Sequence, residues 1–393
     1  MTALATPAAL ADIKVVDVDT HFSEPLDLWT SRAPARHRDR VPQMKTIDGQ
    51  LVWTIEGDLS MGIPCASAVV APDGGKAKGL QFMNWIVTDV HPACSSVKAR
   101  LAVMDACGIF AQIVYPNVLG FGGQGPSAKV DPALRLICTQ IYNDAVAEMQ
   151  AESGGRLFPM ALLPWWDVEL SVAEAERCRA LGLRGVNINS DPHRHGMPDL
   201  SADAWTPLWE YCADQQLPVN FHIGASDAST SWFAESSWPS LSGEAKLALG
   251  STMLFLSNAR VLVNLIVSGL LERHPRLNFV SVESGVGWIP FILEALDYSI
   301  DEANAGAGLS MAPIDYFRRQ VYACFWFERR DLAAQVRRVG VDNVMFETDF
   351  PHPTCLYPNP LQRAAERLGD FTDEERRKVF SGNAARLYRI PLA

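Results

Sequence analysis

Basic residues are in the minority: 34 Lys and Arg stand against 45 Asp and Glu, for a formal net charge of −11. A nucleic-acid groove needs clustered cations to displace phosphate counterions, so this balance argues against such a partner. There is no Cys-x-x-Cys pair among the eight cysteines, which sit apart in apolar or helical surroundings. A zinc cluster or disulfide scaffold is therefore not indicated, and scattered reduced thiols fit a cytoplasmic protein. Long apolar runs are missing too. The longest, Val261–Leu271, already contains Asn264 and Ser268 and falls short of the ~20 residues that span a bilayer. The expectation is a soluble protein. The alanine-rich start, Met1–Ala11, has no basic n-region, and Asp12 and Lys14 follow at once. It reads as a disordered tail over residues 1–12 rather than a signal peptide.

What is there is ordinary globular material: 393 residues, 48% hydrophobic and 20% charged. Short β-branched runs recur, each followed by a helical stretch. Eight candidate strands fall at Ile13–Val18, Phe110–Tyr115, Leu157–Leu163, Gly185–Asn189, Pro218–His222, Leu277–Glu283, Gln320–Phe325 and Asn343–Thr348. Helices are expected between them, the last opened by a capping box at Thr372-Asp373-Glu374-Glu375. Strand and helix alternating eight times predict an α/β fold, a single (β/α)8 TIM barrel over residues 13–393. Roughly eighty residues separate the first strand from Val97, too many for a bare loop. Inside them, Met44–Ile47 and Gln50–Ile55 flank Asp48-Gly49, a hairpin signal. A small β-containing insert, about residues 23–95, is expected after the first strand.

In such a barrel, chemistry sits at the C-terminal ends of the strands. Four strand ends carry potential metal ligands: Asp19 and His21, His222, Glu283, and Asp349 with His352 close behind. Asp19 and His21 are two apart on an extended strand and point the same way. Taken singly, each has a plain alternative: a satisfied polar histidine, a turn cap at Asp19, a loop anchor at Asp349. Together they would crowd three carboxylates on one rim, which calls for a cation to offset repulsion and desolvation.

The ordered motifs Val16-Asp17-Val18-Asp19-Thr20-His21, Phe221-His222, Glu283-Ser284-Gly285-Val286-Gly287-Trp288 and Glu347-Thr348-Asp349-Phe350-Pro351-His352 resemble the amidohydrolase superfamily. So does the ending Gly382-Asn383-Ala384-Ala385-Arg386-Leu387-Tyr388. The nearest branch holds aminocarboxymuconate-semialdehyde decarboxylase and the resorcylate decarboxylases. The resemblance implies a metal-dependent barrel with Asp19, His21, His222 and Asp349 as ligands. Two departures stand out: Asp19 replaces a His, and Glu283 stands where the branch has a sixth-strand His. Carboxylates in place of imidazoles tilt the site from Zn toward Mn or Fe. With Glu283 and His352 added, the donors suffice for two ions, but no Lys on the fourth strand is available as a carbamate bridge, so one ion is favoured.

Asp349 or Glu283 is then the general base, with His222 in the catalytic set. For substrate contacts the candidates are Glu24, Trp232, Trp166 and His193, with the serine-rich segment Ser226–Ser242 as a lid. The basic run Arg32, Arg36, His37, Arg38 and Arg40 is a solvated helix end or the source of a carboxylate-binding arginine. The sequence thus reads as a metal-dependent decarboxylase or hydrolase of a small organic acid or amide. The alternatives are a dinuclear Fe/Mn oxygenase and an inactive metal-bound subunit of an active paralogue. A homodimer or larger assembly is expected by resemblance only.

Overall fold

The computed structural model describes residues 4–65, 67–121 and 124–392. Eight parallel strands form the centre: β1 (Val15–His21), β5 (Ile109–Tyr115), β6 with β7 (Leu157–Pro159 and Ala161–Leu162, one strand broken at Met160), β8 (Val186–Asn187), β9 (Val219–His222), β10 (Phe279–Val282), β11 (Val321–Phe325) and β12 (Val344–Phe346). Parallel pairing runs β1-β5-β6 and β7-β8-β9-β10-β11-β12. A parallel bridge between Thr20 and Phe350 closes the ring, with the Asp349 amide donating to the Asp19 carbonyl at 2.9 Å. This is the eight-stranded barrel the alternating pattern predicts, and each strand overlaps its expected run.

The core has two layers. Inside the ring lie Val16, Val18, Ile113, Phe158, Val280, Val282, Cys324 and Met345, joined by Tyr388 from the C-terminal helix. The Tyr388 and Tyr115 hydroxyls both donate to Asn220 Oδ1, at 2.7 and 3.0 Å, so the polar atoms at the ring's centre are paired. Between strands and helices lies a larger apolar layer containing Val15, Val219, Phe279 and Leu262. The capping box at Thr372 and Glu375 forms reciprocally. The helix it opens passes through a π-helical stretch, Lys378–Gly382, before ending at Tyr388. There Asn383 donates to the Val341 and Val344 carbonyls, holding the closing helix against the last strand.

Three further strands, β2 (Gln43–Ile47), β3 (Gln50–Ile55) and β4 (Leu59–Gly62), pair antiparallel in the segment between β1 and Val97. Both residues of the β2–β3 turn, Asp48 and Gly49, have positive φ, as a type I′ turn requires.

Two features differ from expectation. Residues 1–3 lie outside the described residues; the rest of the expected N-terminal tail is largely exposed but anchored at Leu10. Ala8–Leu10 form a 3-10 turn, Leu10 is fully buried, and the Leu4 amide donates to Ala106. One buried leucine and a proline-initiated turn anchor the alanine-rich stretch. The helix Gly243–Val267 is also long and apolar enough, on length and composition alone, to cross a membrane. Its scattered Gly, Ser, Thr and Asn interrupt every apolar run, so counting uninterrupted residues misses it. Here Val261, Leu262, Leu265 and Ile266 pack into the barrel's outer core.

Candidate metal centre

Six side chains meet at the C-terminal mouth of the barrel. A register slip in β1 between Asp17 and Thr20 arranges the first two. It separates Asp17, which bonds to Gln112 of β5 and Thr348 after β12, from Asp19 and His21, which face His222 at the end of β9. Glu283 follows β10 directly, and Asp349 and His352 follow β12. Both Glu283 and Asp349 have positive φ, 53° and 58°. That conformation is costly for a residue with a Cβ, and it persists only where the surroundings impose it. At Asp349 the ties are the amide bond to Asp19, a hydrogen bond from the Thr354 hydroxyl, and the His352 amide donating back to the Asp349 carbonyl at 2.8 Å.

The side chains converge closely. His21 Nε2 is 3.4 Å from Asp19 Oδ1 and 3.8 Å from Asp349 Oδ1. His222 Nε2 is 3.4 Å from Asp19 Oδ1 and 3.6 Å from Glu283 Oε2. His352 Nδ1 is 3.2 Å from Asp349 Oδ1, and its ring stacks on that of His21 with centroids 3.8 Å apart. His222 Nδ1 donates to the Ile223 carbonyl at 2.8 Å, a role that leaves the lone pair on Nε2, the nitrogen facing the carboxylates.

Burial, followed by the charge of Asp349, lifts the Asp19 carboxyl well above its usual range. The same two causes, with Asp19 added, raise Glu283. Burial also drives His222 down to about 3 and His21 well below the ordinary imidazole value. Without a cation, burial thus favours neutral rings at His21 and His222 and the protonated form of Asp19 and Glu283, and a cation bound by Asp19 would displace its proton.

The donors present fit such an ion. Asp19 Oδ2, both His21 nitrogens, Asp349 Oδ1 and His352 Nε2 are buried and make no hydrogen bond, a state that costs free energy unless something else satisfies it. Two overlapping sets, Asp19-His21-His222-Glu283 and His21-Glu283-Asp349-His352, each place their ligand atoms within 4.8 Å of one another. Mixed imidazole and carboxylate donors suit Zn, Mn or Fe.

The model of the Amidohydrolase family matches residues 16–390. The chain belongs to the amidohydrolase family. The gamma-resorcylate decarboxylase of Rhizobium sp. (strain MTP-10005) is 26% identical over 306 residues, covering 74% of this chain and 86% of that protein. Among solved structures, an amidohydrolase from Mycobacterium avium subsp. paratuberculosis K-10 superposes with a TM-score of 0.74 at 22% identity, over 97% of this chain and 99% of that one. A dihydroxybenzoic acid decarboxylase from Polaromonas sp. JS666, solved with manganese and 2-nitroresorcinol, gives a TM-score of 0.60 at 18% identity, over 97% and 98%. At such identities the structural likenesses establish the fold.

Behind the amidohydrolase donor cluster stands a scaffold of residues that sequence reasoning did not single out. Asp17 is fully buried and accepts from the Thr348 amide (2.8 Å), the Thr348 hydroxyl (2.6 Å) and Gln112 Nε2 (3.0 Å). It thereby holds the residue preceding Asp349. Arg100, also fully buried, donates to the His21 carbonyl (2.5 Å), the Ala93 carbonyl (2.7 Å) and Gln112 Oε1 (3.2 Å). Its signal in the sequence is nil, because an arginine inside the helix Val97–Cys107 reads as an ordinary surface residue. Gly285 has φ +71°, and a Cβ there would lie 2.6 Å from Glu328 Oε1. That buried carboxylate must come this close because it accepts from the Val286 and Trp326 amides, fixing the turn that follows Glu283.

A cavity of about 640 Å³ opens over the cluster, and of the six donors Glu283 and His352 line it. Its walls come from the insert (Trp53, Met61, Phe82), the segment around Phe233, and the helix Gly243–Val267. The expected substrate contacts fall elsewhere. Glu24 accepts from the Asn117 and Val118 amides and positions that loop, so that Asn117, not Glu24, reaches the cavity. Trp166 lies under Arg135, 3.7 Å from guanidinium carbon to ring centroid, and lines a small separate cavity. His193 borders a third, shallow one. Trp232 sits in the expected lid, whose helix Asp227–Ala234 is capped by Ser226, but its neighbour Phe233 is the one that lines the cavity. The basic run contributes nothing there either: Arg32 pairs with Glu148 and Arg40 with Glu56, both near the surface. All eight cysteines are free and buried.

Proposed function

We propose that this amidohydrolase is a metal-dependent decarboxylase of an aromatic or enolic acid. Asp19, His21, His222 and Asp349 would hold the ion, which when bound supplies Lewis acidity toward the carboxylate and a neighbouring substrate oxygen. The observation that carries the reading is the position of Glu283. It is the carboxylate of the cluster that faces the cavity, and burial, then the charges of Asp349 and Asp19, raise it well above the usual carboxylate range, which favours its protonated form.

Glu283 can therefore deliver that proton to the substrate carbon that bears the carboxyl group. The bond to the carboxyl carbon breaks, its electron pair stays on the ring or enol carbon, the new C–H bond forms there, and carbon dioxide leaves. Solvent then reprotonates Glu283. His352, stacked on His21 at the cavity edge, orients the acid head. With a substrate body seated against them, the apolar walls would limit water at the carbanion-like centre and so suppress competing hydrolysis. The likeness to gamma-resorcylate decarboxylase supports the same reaction class.

The experiment is turnover of hydroxybenzoic and enolic acids in deuterium oxide, with carbon dioxide and product both measured. The reading requires one equivalent of carbon dioxide and one deuterium at the vacated carbon. Amide or ester hydrolysis without carbon dioxide release would replace it. One observation favours a second reading: the overlapping donor sets share His21 and Glu283, as a two-ion centre would need. Two equivalents of Fe or Mn per chain together with oxygen uptake would shift the assignment to an oxygenase.

A further inference from the structure

The cavity over the donor cluster says more about the substrate than its acid head. At about 640 Å³ it lies mid-range among sites that enclose drug-sized ligands. It is continuous with Glu283 and His352, so any acid that reaches the cluster must place the rest of itself here. The walls are overwhelmingly apolar, and no arginine lines them among the described residues. Apart from Glu283 and His352, the one ionisable group among the lining residues is Lys246. Leu80, Met83 and Phe233 both line the cavity and stay 37%, 42% and 37% exposed. Close by in the chain, Ile86, Val87 and Trp238 are exposed as well, at 40%, 45% and 75%. Clustered apolar exposure of this kind marks a place where an apolar partner binds.

We propose that the substrate is a monoacid with an apolar body well beyond one ring: a hydroxy- or enolic acid built on two fused or linked rings. Its single carboxylate goes to the donor cluster, and its body is read by the insert and the helix Gly243–Val267. The proposal rests on the decarboxylase reading for the identity of the acid head; the size and polarity of the body are read from the cavity itself. A single-ring dihydroxy acid leaves most of the walls uncovered, whereas a second ring buries further apolar surface and gains the corresponding hydrophobic free energy.

The test is a ladder of acids on the manganese-loaded full-length protein: 2-hydroxybenzoate, 1-hydroxy-2-naphthoate and 4-hydroxybiphenyl-3-carboxylate. Dissociation constants are measured calorimetrically, and carbon dioxide release is measured separately. The second ring is expected to tighten binding at least tenfold, ~1.4 kcal/mol. Equal affinities, tightest binding of the single-ring acid, or no saturable binding of the two-ring acids overturns the proposal. Ser251→Trp, which fills the cavity from the long helix, is expected to weaken the two-ring acids at least tenfold while changing the single-ring acid less than twofold. Uniform weakening across the ladder counts against it, and the wild-type ladder decides the matter if the variant fails to fold. Tight binding of two-ring acids without carbon dioxide release refutes the decarboxylase reading and leaves the size assignment standing. Release from single-ring acids with no preference for two rings does the reverse.

Discussion

Asp17→Asn is a direct probe of the scaffold that holds the centre. The native carboxyl is fully buried, and burial raises it from 3.8 to about 7 despite three hydrogen bonds that favour the charged form. The folded chain therefore keeps this proton until about pH 7, whereas the unfolded chain gives it up near 3.8. The stability this contributes is fully present below pH 3.8 and is lost as pH rises through 7. The full effect is on the order of 4 kcal/mol, of which about 2 kcal/mol falls between pH 5.5 and 8.5.

Asparagine cannot ionise. Its amide NH2 would, however, face Gln112 Nε2, a donor fixed in place because Gln112 Oε1 accepts from Arg100. That mismatch costs ~1–3 kcal/mol at any pH. The variant should thus be less stable than wild type at pH 5.5, and the gap should shrink by about 2 kcal/mol by pH 8.5. Urea midpoints of both proteins, chelated to remove metal, measure it, and contributions from His21, His222, Glu24 and the other shifted groups cancel in the difference. A gap that is constant with pH would mean that Asp17 does not carry a raised pKa in the folded chain.

Other expectations follow from the same geometry. Glu283→Gln should lower the rate of carbon dioxide release by ~10²–10⁴-fold while the metal content stays near wild type; a fully active variant would remove Glu283 as the proton source. Gly285→Ala must place a Cβ 2.6 Å from the Glu328 carboxylate at φ +71°, and should cost ~2–4 kcal/mol in chemical denaturation. Less than 1 kcal/mol would mean the turn after Glu283 adapts freely. Metal affinity should rise with pH, because the raised Asp19 carboxyl must lose its proton to bind the ion; manganese titrations at three pH values give the slope, and a flat profile would contradict the protonation scheme.

Much of this was legible in the chain. The eight strands announce themselves because buried parallel strands are β-branched runs with turn residues at either end. The six donors are visible because the barrel allots function to strand ends, so Asp19, His21, His222, Glu283, Asp349 and His352 can be picked out by position. What stayed hidden depends on partners far apart in sequence. Asp17 and Arg100 look unremarkable until β1, the helix after the insert and the loop after β12 are seen to share them. Trp166 and His193 follow strands as substrate contacts should, yet the cavity forms over a different sector of the rim, where the insert and the long helix meet. Which sector an insert covers is set by tertiary packing, and no local pattern encodes it.

The buried donors at the barrel mouth are arranged as a divalent-metal centre. The most direct measurement is metal content by plasma mass spectrometry on protein purified without added metal or chelator, side by side with His222→Ala. At least one equivalent of Zn, Mn or Fe per chain is expected in the wild type, falling severalfold in the variant while the fold is retained. A folded wild type that holds no metal and takes up none on titration, or a variant that keeps its full complement, would contradict the account.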